Sequence, residues 1–583
     1  MMYAPIIGVI AISVLSLALP VDSAKTSRLV DVAAFGAMPN DDKDDTAAVQ
    51  AALEECKKGS PVTLRFPRGR YKLTNTGKGP LIALNGIDDL TIDGNDSELI
   101  IDGPTTVFSF GSCRKVIVRN LKIDWARPPF SQGKVIAAEG NHFDVEVFPE
   151  YPVSAGMSVG ALMDVDPRTK LYKRHGLDLY NCVTSTELLG PQVLRVNLNH
   201  QTTIRPGVWV VLRHYVYGHA AFYCERCSDI KVENVTVYTV PGMGFIGKHC
   251  RNIALEKFDV VPRPNTGRLM SATADALHLS GNTGRLTIRN CEFTGMGDDA
   301  ANIKMGLFLA VRERVDDRTV LASHNLQILD PPEPGNVMEF SRPDVMVPYA
   351  KARVSKCEVL SKDGLQRIEF TRPLPTEVAI DDMLANASRT AKVRISNCVV
   401  RNNRARGFLI QNRDVVVDGC RFENCTSGGV WVVMETTYFC EAGGSRDVFV
   451  KNCTFDNCNY GGPIGECVLG AYAVLRGNKR PPQPRLHSSI VFENNVIRRS
   501  DNAGICIMGV DGLVLRGNTI EWACENPTWP EGKSAIYIMS SRNVVLEKNT
   551  VNPKLQGKDL NRVVNYGPGC DTATFTIRGN EGF

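Results

Sequence analysis

Leu286-Thr287-Ile288-Arg289-Asn290-Cys291-Glu292-Phe293 and Val448-Phe449-Val450-Lys451-Asn452-Cys453-Thr454-Phe455 are one phrase written twice: alternating apolar residues, then Asn, Cys and an aromatic two places on. Similar phrases close at Cys398 and Cys420, and farther along Asn495, Asn518, Asn549 and Asn580 take the Cys position. The steps from 398 to 420 and from 495 to 518 are 22 and 23 residues, whereas those from 420 to 453 and from 518 to 549 are 33 and 31. One short coil with loops of varying length accounts for all four. Apolar strands at a fixed period, separated by Gly and Asn turns, imply a solenoid. The Val, Ile and Leu content and the lack of a sustained helical period predict a right-handed parallel β-helix, an all-β fold, rather than a helical or leucine-rich array. Earlier copies read at Leu90 to Asp93, Val116 to Val118, Ile230 to Val235 and Ile253 to Glu256. A solenoid needs its ends covered. The amphipathic stretch Thr46 to Lys57, with Ala47, Val49, Ala51, Ala52 and Leu53, is expected to plug the N-terminal end.

A position that exchanges Cys for Asn reads as a stacked side-chain ladder rather than half a disulfide, because free Cys packs as a small hydrophobe. Most of the 18 Cys are therefore expected to be thiols. Cys224-Glu225-Arg226-Cys227 has the spacing of a metal knuckle or redox pair, but no second such pair and no paired His follow at finger spacing, so core is the expectation. Two segments interrupt the repeat, Pro128 to about Val216 and Met305 to about Thr390. They carry alternation as in Phe143 to Val147 and turns such as Glu139-Gly140-Asn141 and Pro334-Gly335-Asn336. Such patterning marks half-buried antiparallel strands. Each is read as an inserted β-barrel-like domain, the second expected to wall the site that precedes it. The chain thus divides into 1–23, 24–127 with the capping helix, the insert 128–216, 217–304, the insert 305–390 and 391–583.

With 583 residues and 43% hydrophobic content the chain buries a large core, and a net charge of +4 is small for that length. No basic run interleaved with aromatics is present, which gives no case for nucleic acid or an anionic membrane as partner. From Ile6 to Leu19 the chain is almost wholly apolar, Pro20 breaks the run, and Ser23 and Ala24 offer a peptidase site. The stretch is shorter than the ~20 residues a membrane span needs. It reads as an export signal to a periplasm, the cell surface or the medium, with no span after its removal. The lack of Lys or Arg in Met1 to Pro5 leaves a retained anchor as the competing reading.

The chemistry concentrates in Thr273-Ala274-Asp275-Ala276-Leu277-His278 and Gly297-Asp298-Asp299-Ala300-Ala301-Asn302-Ile303-Lys304. Asp275 and Asp298 are 23 residues apart, about one coil. Adjacent parallel strands lie ~4.8 Å apart, so Asp275, Asp298 and Asp299 are expected to converge on one exposed face with His278 and Lys304 on the same rungs. Clustered carboxylates suit acid/base hydrolysis at a glycosidic carbon, and three of them cannot all ionise cheaply, so one holds a proton. The competing reading is turn acids ordering a bend. Arg404, Arg406, Gln411, Trp431 and Glu435 lie on later rungs. His278 and Lys304 are expected to tune the charges or hold sugar hydroxyls. Asn302, Gln411 and Glu435 are placed toward substrate, with a solvated strand edge as the competing reading for the last two, and Trp431 is read as either a sugar platform or plain core. No metal or cofactor is expected: Asp41, Asp42, Asp44 and Asp45 lack the Gly and Glu of a calcium loop and read as turn and helix-capping residues.

The opening Val30 to Ala37, Asp44-Asp45-Thr46 and Phe66 to Tyr71 resembles the start of pectate-lyase-like β-helix proteins, and the two acid motifs are similar to those of the polygalacturonases. Together with two inserts and an export signal, the chain from about Ala24 onward resembles glycoside hydrolase family 110. These are bacterial exo-acting α-1,3-galactosidases that remove terminal galactose from the blood-group B epitope. The resemblance implies single displacement with inversion on a galactose-terminated glycan, Asp298 the general acid and Asp275 with Asp299 activating water. Three alternatives stay open: a polygalacturonase, whose Gly-His-Gly and Arg-Ile-Lys motifs do not follow the double Asp here; a polysaccharide lyase, which would need Ca²⁺ or a basic residue at a uronate; and a non-catalytic adhesin. Branched or linear preference and oligomeric state are not encoded in these motifs.

Overall fold

The computed structural model describes residues 27–583 apart from 78, 442, 462–466, 476–483, 529, 553–559 and 561. The apolar segment read as an export signal lies outside the described residues. From Arg28–Asp31 to Thr576–Arg578, short strands pair in parallel, rung upon rung, into a sheet of 22 strands. A second parallel sheet of 12 runs from Ile82–Asn85 to Arg562–Tyr566. The chain is a parallel β-helix. Alternate residues point inward, as Ile253, Leu255, Phe258 and Val260 do within Arg251–Val260. Like residues stack on like along the axis: Phe108, Phe222 and Phe245 follow one another at centroid spacings of 4.6 and 6.0 Å. Each such side chain, fully withdrawn from water, contributes on the order of 1.5–3 kcal/mol.

The α-helix Thr46–Cys56 buries Val49, Ala52, Leu53 and Cys56 against the first rungs, covering the end of the coil as its pattern predicts. Asp44 accepts from the amide of Thr46 and Asp45 from that of Met38, so these acids serve turn and helix start.

All 18 Cys are thiols, and the ladder has a physical basis. The backbone N–H of one rung donates to the side chain one rung on: Cys420 N to Cys453 Sγ at 3.4 Å, Cys453 N to Asn495 Oδ1 at 3.0 Å, Asn495 N to Asn518 Oδ1 at 3.1 Å. Thiol and amide are exchanged because either can accept that bend's amide hydrogen. Cys227 belongs to a second ladder through Cys113, Cys250 and Asn282, which accounts for its motif without a metal.

Both inserts leave the coil in register. Arg114–Trp125 pairs directly with Ser228–Val237, and Thr283–Arg289 with Ala391–Ser396, so each insert departs and returns at one rung. The first is a seven-stranded antiparallel sheet in the spatial order Asp178–Tyr180, Ala161–Val165, Trp209–Arg213, Phe130–Glu139, His142–Val147, Val193–Leu198, Val183–Gly190. The second is a closed barrel of six antiparallel strands, from Leu309–Arg314 to Met383–Asn386. Each has its own apolar core.

Candidate active site

Asp275 immediately precedes the strand Leu277–Ser280, and Asp298 with Asp299 precedes Ala301–Lys304; the two strands pair His278 with Asn302 and Ser280 with Lys304. The next rung, Phe408–Gln411, sets Leu409 beside Asn302 and Gln411 beside Lys304. One oxygen from each of Asp275, Asp298 and Asp299 lies within 4.8 Å of the other two. Rung spacing therefore brings the three acids together.

The expectation of an exposed face is corrected. Asp275 and Asp299 are buried, at 4% and 1% exposure, and the Asp298 side chain retains 14%. The cover comes from outside the repeat. Asp178 and Tyr180, on an edge strand of the first insert, meet Arg404, whose guanidinium donates to both Asp178 and, at 3.1 Å, Asp298. Tyr217, in the segment leaving that insert, donates its hydroxyl to Asp298 Oδ2 at 2.7 Å. Arg406 clasps Asp299 with its Nε at 2.7 Å and its Nη2 at 2.9 Å, while its own amide donates to the same carboxylate at 3.0 Å. Arg213, fully buried, donates to the carbonyls of Thr273 and Gly297 at 3.0 and 2.9 Å and so ties the two acid-bearing turns together. A side chain at Gly297 would collide with Thr273 O at 2.4 Å and with that guanidinium, which is why the residue before Asp298 is glycine.

These surroundings separate the acids electrostatically. Burial, reinforced by the charge of Asp298, holds the Asp275 carboxyl well above the usual range. Burial pushes Asp299 up to about 7 against the pull of Arg406. Burial raises Asp298 as well, but Arg404, Arg406, the Tyr217 hydroxyl and Arg213 together outweigh it and keep Asp298 below the ordinary value. Of the three acids, Asp275 and Asp299 therefore hold a proton more tightly and Asp298 least tightly. His278 contacts Asp275 Oδ2 through Nδ1 at 2.8 Å; burial and then Lys304 bring it down to about 3, so it is a neutral imidazole near pH 7.

Lys304 is buried and pairs with Glu441, whose carboxylate stays ionised because Lys304 outweighs the burial penalty. Gln411 is buried completely, and neither its amide oxygen nor its nitrogen finds a partner among the described residues; the same is true of Asn302 Oδ1. Two substrate-facing expectations are corrected. Trp431 is 2% exposed, lies beneath Arg406 and donates its indole N–H to the Cys467 carbonyl at 3.0 Å, because the next rung closes over it. Glu435 turns back on its own loop, where its carboxylate accepts from the amides of Tyr438 at 2.6 Å and Cys440 at 2.9 Å. That loop in turn brings Glu441 to Lys304.

Sequence periodicity placed Arg404 and Arg406 near the acids but missed Asp178, Tyr180, Arg213, Tyr217 and Glu441. These arrive from inserts and loops, whose position over the rungs no repeat encodes. The second barrel, expected to wall the acids, instead braces the Glu441 turn: His324 contacts the Phe439 carbonyl at 2.8 Å, and the Phe308 amide donates to Cys440 O at 2.9 Å. The carboxyl oxygens are near enough to one another to hold a cation, but Arg406 already spans both oxygens of Asp299 and Arg404 sits on Asp298.

Residues 383–478 and 442–580 match the family described as right handed beta helix region. Along the whole chain, the α-1,3-galactosidase B of Bacteroides thetaiotaomicron is 27% identical, with 94% of each sequence covered. The α-1,3-galactosidase A of Bacteroides fragilis is 26% identical over 90% of this chain and 92% of its own. Among solved structures, the A-module of the Azotobacter vinelandii mannuronan C-5 epimerase AlgE4 is similar over 94% of this chain and 100% of that one, with a TM-score of 0.47 and 10% identity. The chain is a right-handed parallel β-helix protein homologous, over nearly its full length, to bacterial α-1,3-galactosidases.

Proposed function

We propose that the protein is an exo-acting, inverting glycoside hydrolase that releases terminal α-1,3-linked galactose from glycans such as the blood-group B epitope, and that it works outside the cytoplasm, as the apolar segment Ile6 to Leu19 implies. The observation that carries this reading is how the charges of the site are spent. Three carboxyls crowd together, and the cations around them are committed: Arg406 to Asp299, Arg404 to Asp178 and Asp298, Lys304 to Glu441, Arg213 to two carbonyls beside Asp178 at 4.0 Å. A galacturonide would bring a carboxylate to a site where, among the described residues, Arg404, Arg406 and Lys304 are already paired with carboxylates and Arg213, whose Nε and Nη2 have no hydrogen-bond partner, is sealed from solvent. Buried, unpartnered Gln411 and Asn302 suit the hydroxyls of a neutral sugar, since leaving such groups unsatisfied costs about 1–3 kcal/mol each. This favours a galactoside over the polygalacturonase reading.

In this mechanism Asp298, the acid that solvent reaches best, protonates the glycosidic oxygen as the bond to the anomeric carbon breaks. Water held by Asp275 and Asp299 attacks from the opposite face and gives up its proton to Asp275. Turnover thus leaves Asp298 ionised and Asp275 protonated, the distribution that the surrounding charges and burial favour. One proton moving from Asp275 to Asp298 across the cluster rearms both groups. Their nearest oxygens lie within 4.8 Å of one another, nearer the ~5–5.5 Å between carboxyls of retaining glycosidases than the ~6.5–9.5 Å of inverting ones, so inversion rests on the likeness to the family and on how these oxygens are held rather than on their spacing. Both oxygens of Asp299 are held by Arg406, and both of Asp275 are hydrogen-bonded, to the Asp299 amide and to His278. Those bonds fix both carboxyls in place, where each can orient a water.

The test is galactose release from α-linked galactosides and galacturonides side by side, with the anomeric protons followed during the first turnovers on a Galα1-3Gal glycan. β-Galactose is the expected first product. α-Galactose first would refute inversion, internal cleavage products would refute the exo mode, and release from galacturonides alone would return the protein to the pectin-acting class.

A further inference from the structure

Tyr217 combines two properties that no other described residue around Asp298 shares. Its hydroxyl is bonded to the most accessible of the three acids, at 2.7 Å from Asp298 Oδ2, while the residue as a whole is 52% exposed. An exposed aromatic ring is ordinarily free to move, yet this one is anchored. The segment that carries it runs from the insert strand Trp209–Arg213 to the coil strand His219–Glu225. It is fixed at one end by buried His214, whose ring nitrogens contact Ser158 O at 2.7 Å and Ser131 Oγ at 2.8 Å. In its middle the Val216 carbonyl accepts from the hydroxyl of Thr273, two residues before Asp275, at 3.3 Å. The backbone beside Tyr217 is therefore tied to the rung of one acid while its side chain reaches another. Exposed aromatic faces pack well against the C–H face of a pyranose, which keeps one side apolar and one tip polar.

We propose that Tyr217 is both the platform on which the terminal sugar stacks and the positioning residue that holds the Asp298 carboxylate, so that seating the sugar and adjusting the acid are one event. This deepens the reading of the site as a galactoside hydrolase and rests on it. A donor to the Asp298 anion stabilises that anion, as the low position of Asp298 reflects. Removing the hydroxyl must raise the affinity of the acid cluster for its proton, and removing the ring must weaken sugar binding without requiring that change.

The experiment compares Tyr217→Phe and Tyr217→Leu with the natural chain on a Galα1-3Gal substrate, measuring kcat and KM from pH 4 to pH 9. The natural chain's turnover tests the functional reading separately, since without galactose release that reading fails before either variant is made. Tyr217→Phe keeps the ring, so KM should stay within about twofold while the alkaline limb of kcat moves up by about one pH unit. That size corresponds to losing one hydrogen bond to a charged group. Tyr217→Leu should show the same shift and, in addition, a KM raised about tenfold or more. An unmoved limb in Tyr217→Phe overturns the positioning role, and an unchanged KM in Tyr217→Leu overturns the platform. Thermal unfolding of each variant within a few degrees of the natural chain excludes a merely structural cause, which would lower kcat at every pH without moving the limb.

Discussion

Asp298, the proposed general acid, is held with the least cost to the fold, and the three acids are not equivalent on this count. Replacing any of them by Asn is expected to cost ~10²–10⁴-fold in kcat, the range of a positioned acid or base. Stability should separate them. Asp298→Asn leaves Arg404 its second partner, Asp178, whereas Asp299→Asn removes the buried carboxylate that both Nε and Nη2 of part-buried Arg406 hold. Leaving one member of a buried ion pair alone costs about 3–5 kcal/mol. Denaturant unfolding should therefore show Asp299→Asn markedly less stable and Asp298→Asn close to the natural chain, and equal stabilities would count against the buried pairing. The pH dependence follows from the raised carboxyls. Asp299 at about 7 and Asp275 well above its ordinary value keep their proton below neutrality and lose it as the pH rises. Since coupled groups titrate as a unit, kcat should fall along an alkaline limb near pH 7. A rate that stays level to pH 9 would show that no proton held in this cluster is needed.

Between elements, the edge strand Asp178–Tyr180 of the first insert is the contact that converts three acids on a solenoid into an enclosed site. Asp178 shares Arg404 with Asp298, and the Tyr180 ring lies between Arg213 and Arg404 at 4.6 and 5.0 Å from their guanidinium carbons. Asp178→Asn would leave the whole charge of Arg404 to Asp298. The acid would then hold its proton less readily, so the alkaline limb of kcat should move to lower pH, opposite in direction to Tyr217→Phe. Displacing Arg404 should also lower kcat by about tenfold or more, as small misplacements of catalytic groups do. An unaltered pH profile in Asp178→Asn would place the insert outside the machinery. The insert was legible in the chain as a break in the repeat with hairpin alternation. What it touches was not, because a strand's own pattern records which of its faces is apolar and not which distant loop it meets.

Over the whole molecule, stability comes from stacking identical rungs, and the ladder inside the bend is where this can be tested. Asn518 accepts from the amide of Asn495 at 3.1 Å and donates to Asn549 Oδ1 at 2.9 Å and to Phe492 O at 2.8 Å. Asn518→Ala should cost about 1–3 kcal/mol for each buried group left unsatisfied, and Asn518→Cys less, since Cys453 fills the same position two ladder steps earlier. A Cys variant as unstable as the Ala variant would show that the exchange along the ladder is coincidental. With every Cys a thiol and arginines engaging Asp299 and Asp298, neither reductant nor chelator should change activity or melting temperature; loss in EDTA restored by Ca²⁺ would point to a lyase. The coil, its capping helix, the two interruptions and the convergence of Asp275, Asp298 and Asp299 follow from sequence alone, because period and alternation are local and neighbouring rungs repeat them. Tertiary structure decided the rest: the burial of the acids, the ionised state of Asp298, the inward turn of Trp431 and the arrival of Asp178, Tyr217 and Glu441. Those depend on contacts between segments whose separation along the chain has no period, and on fields that exist only once such segments exclude water from the site.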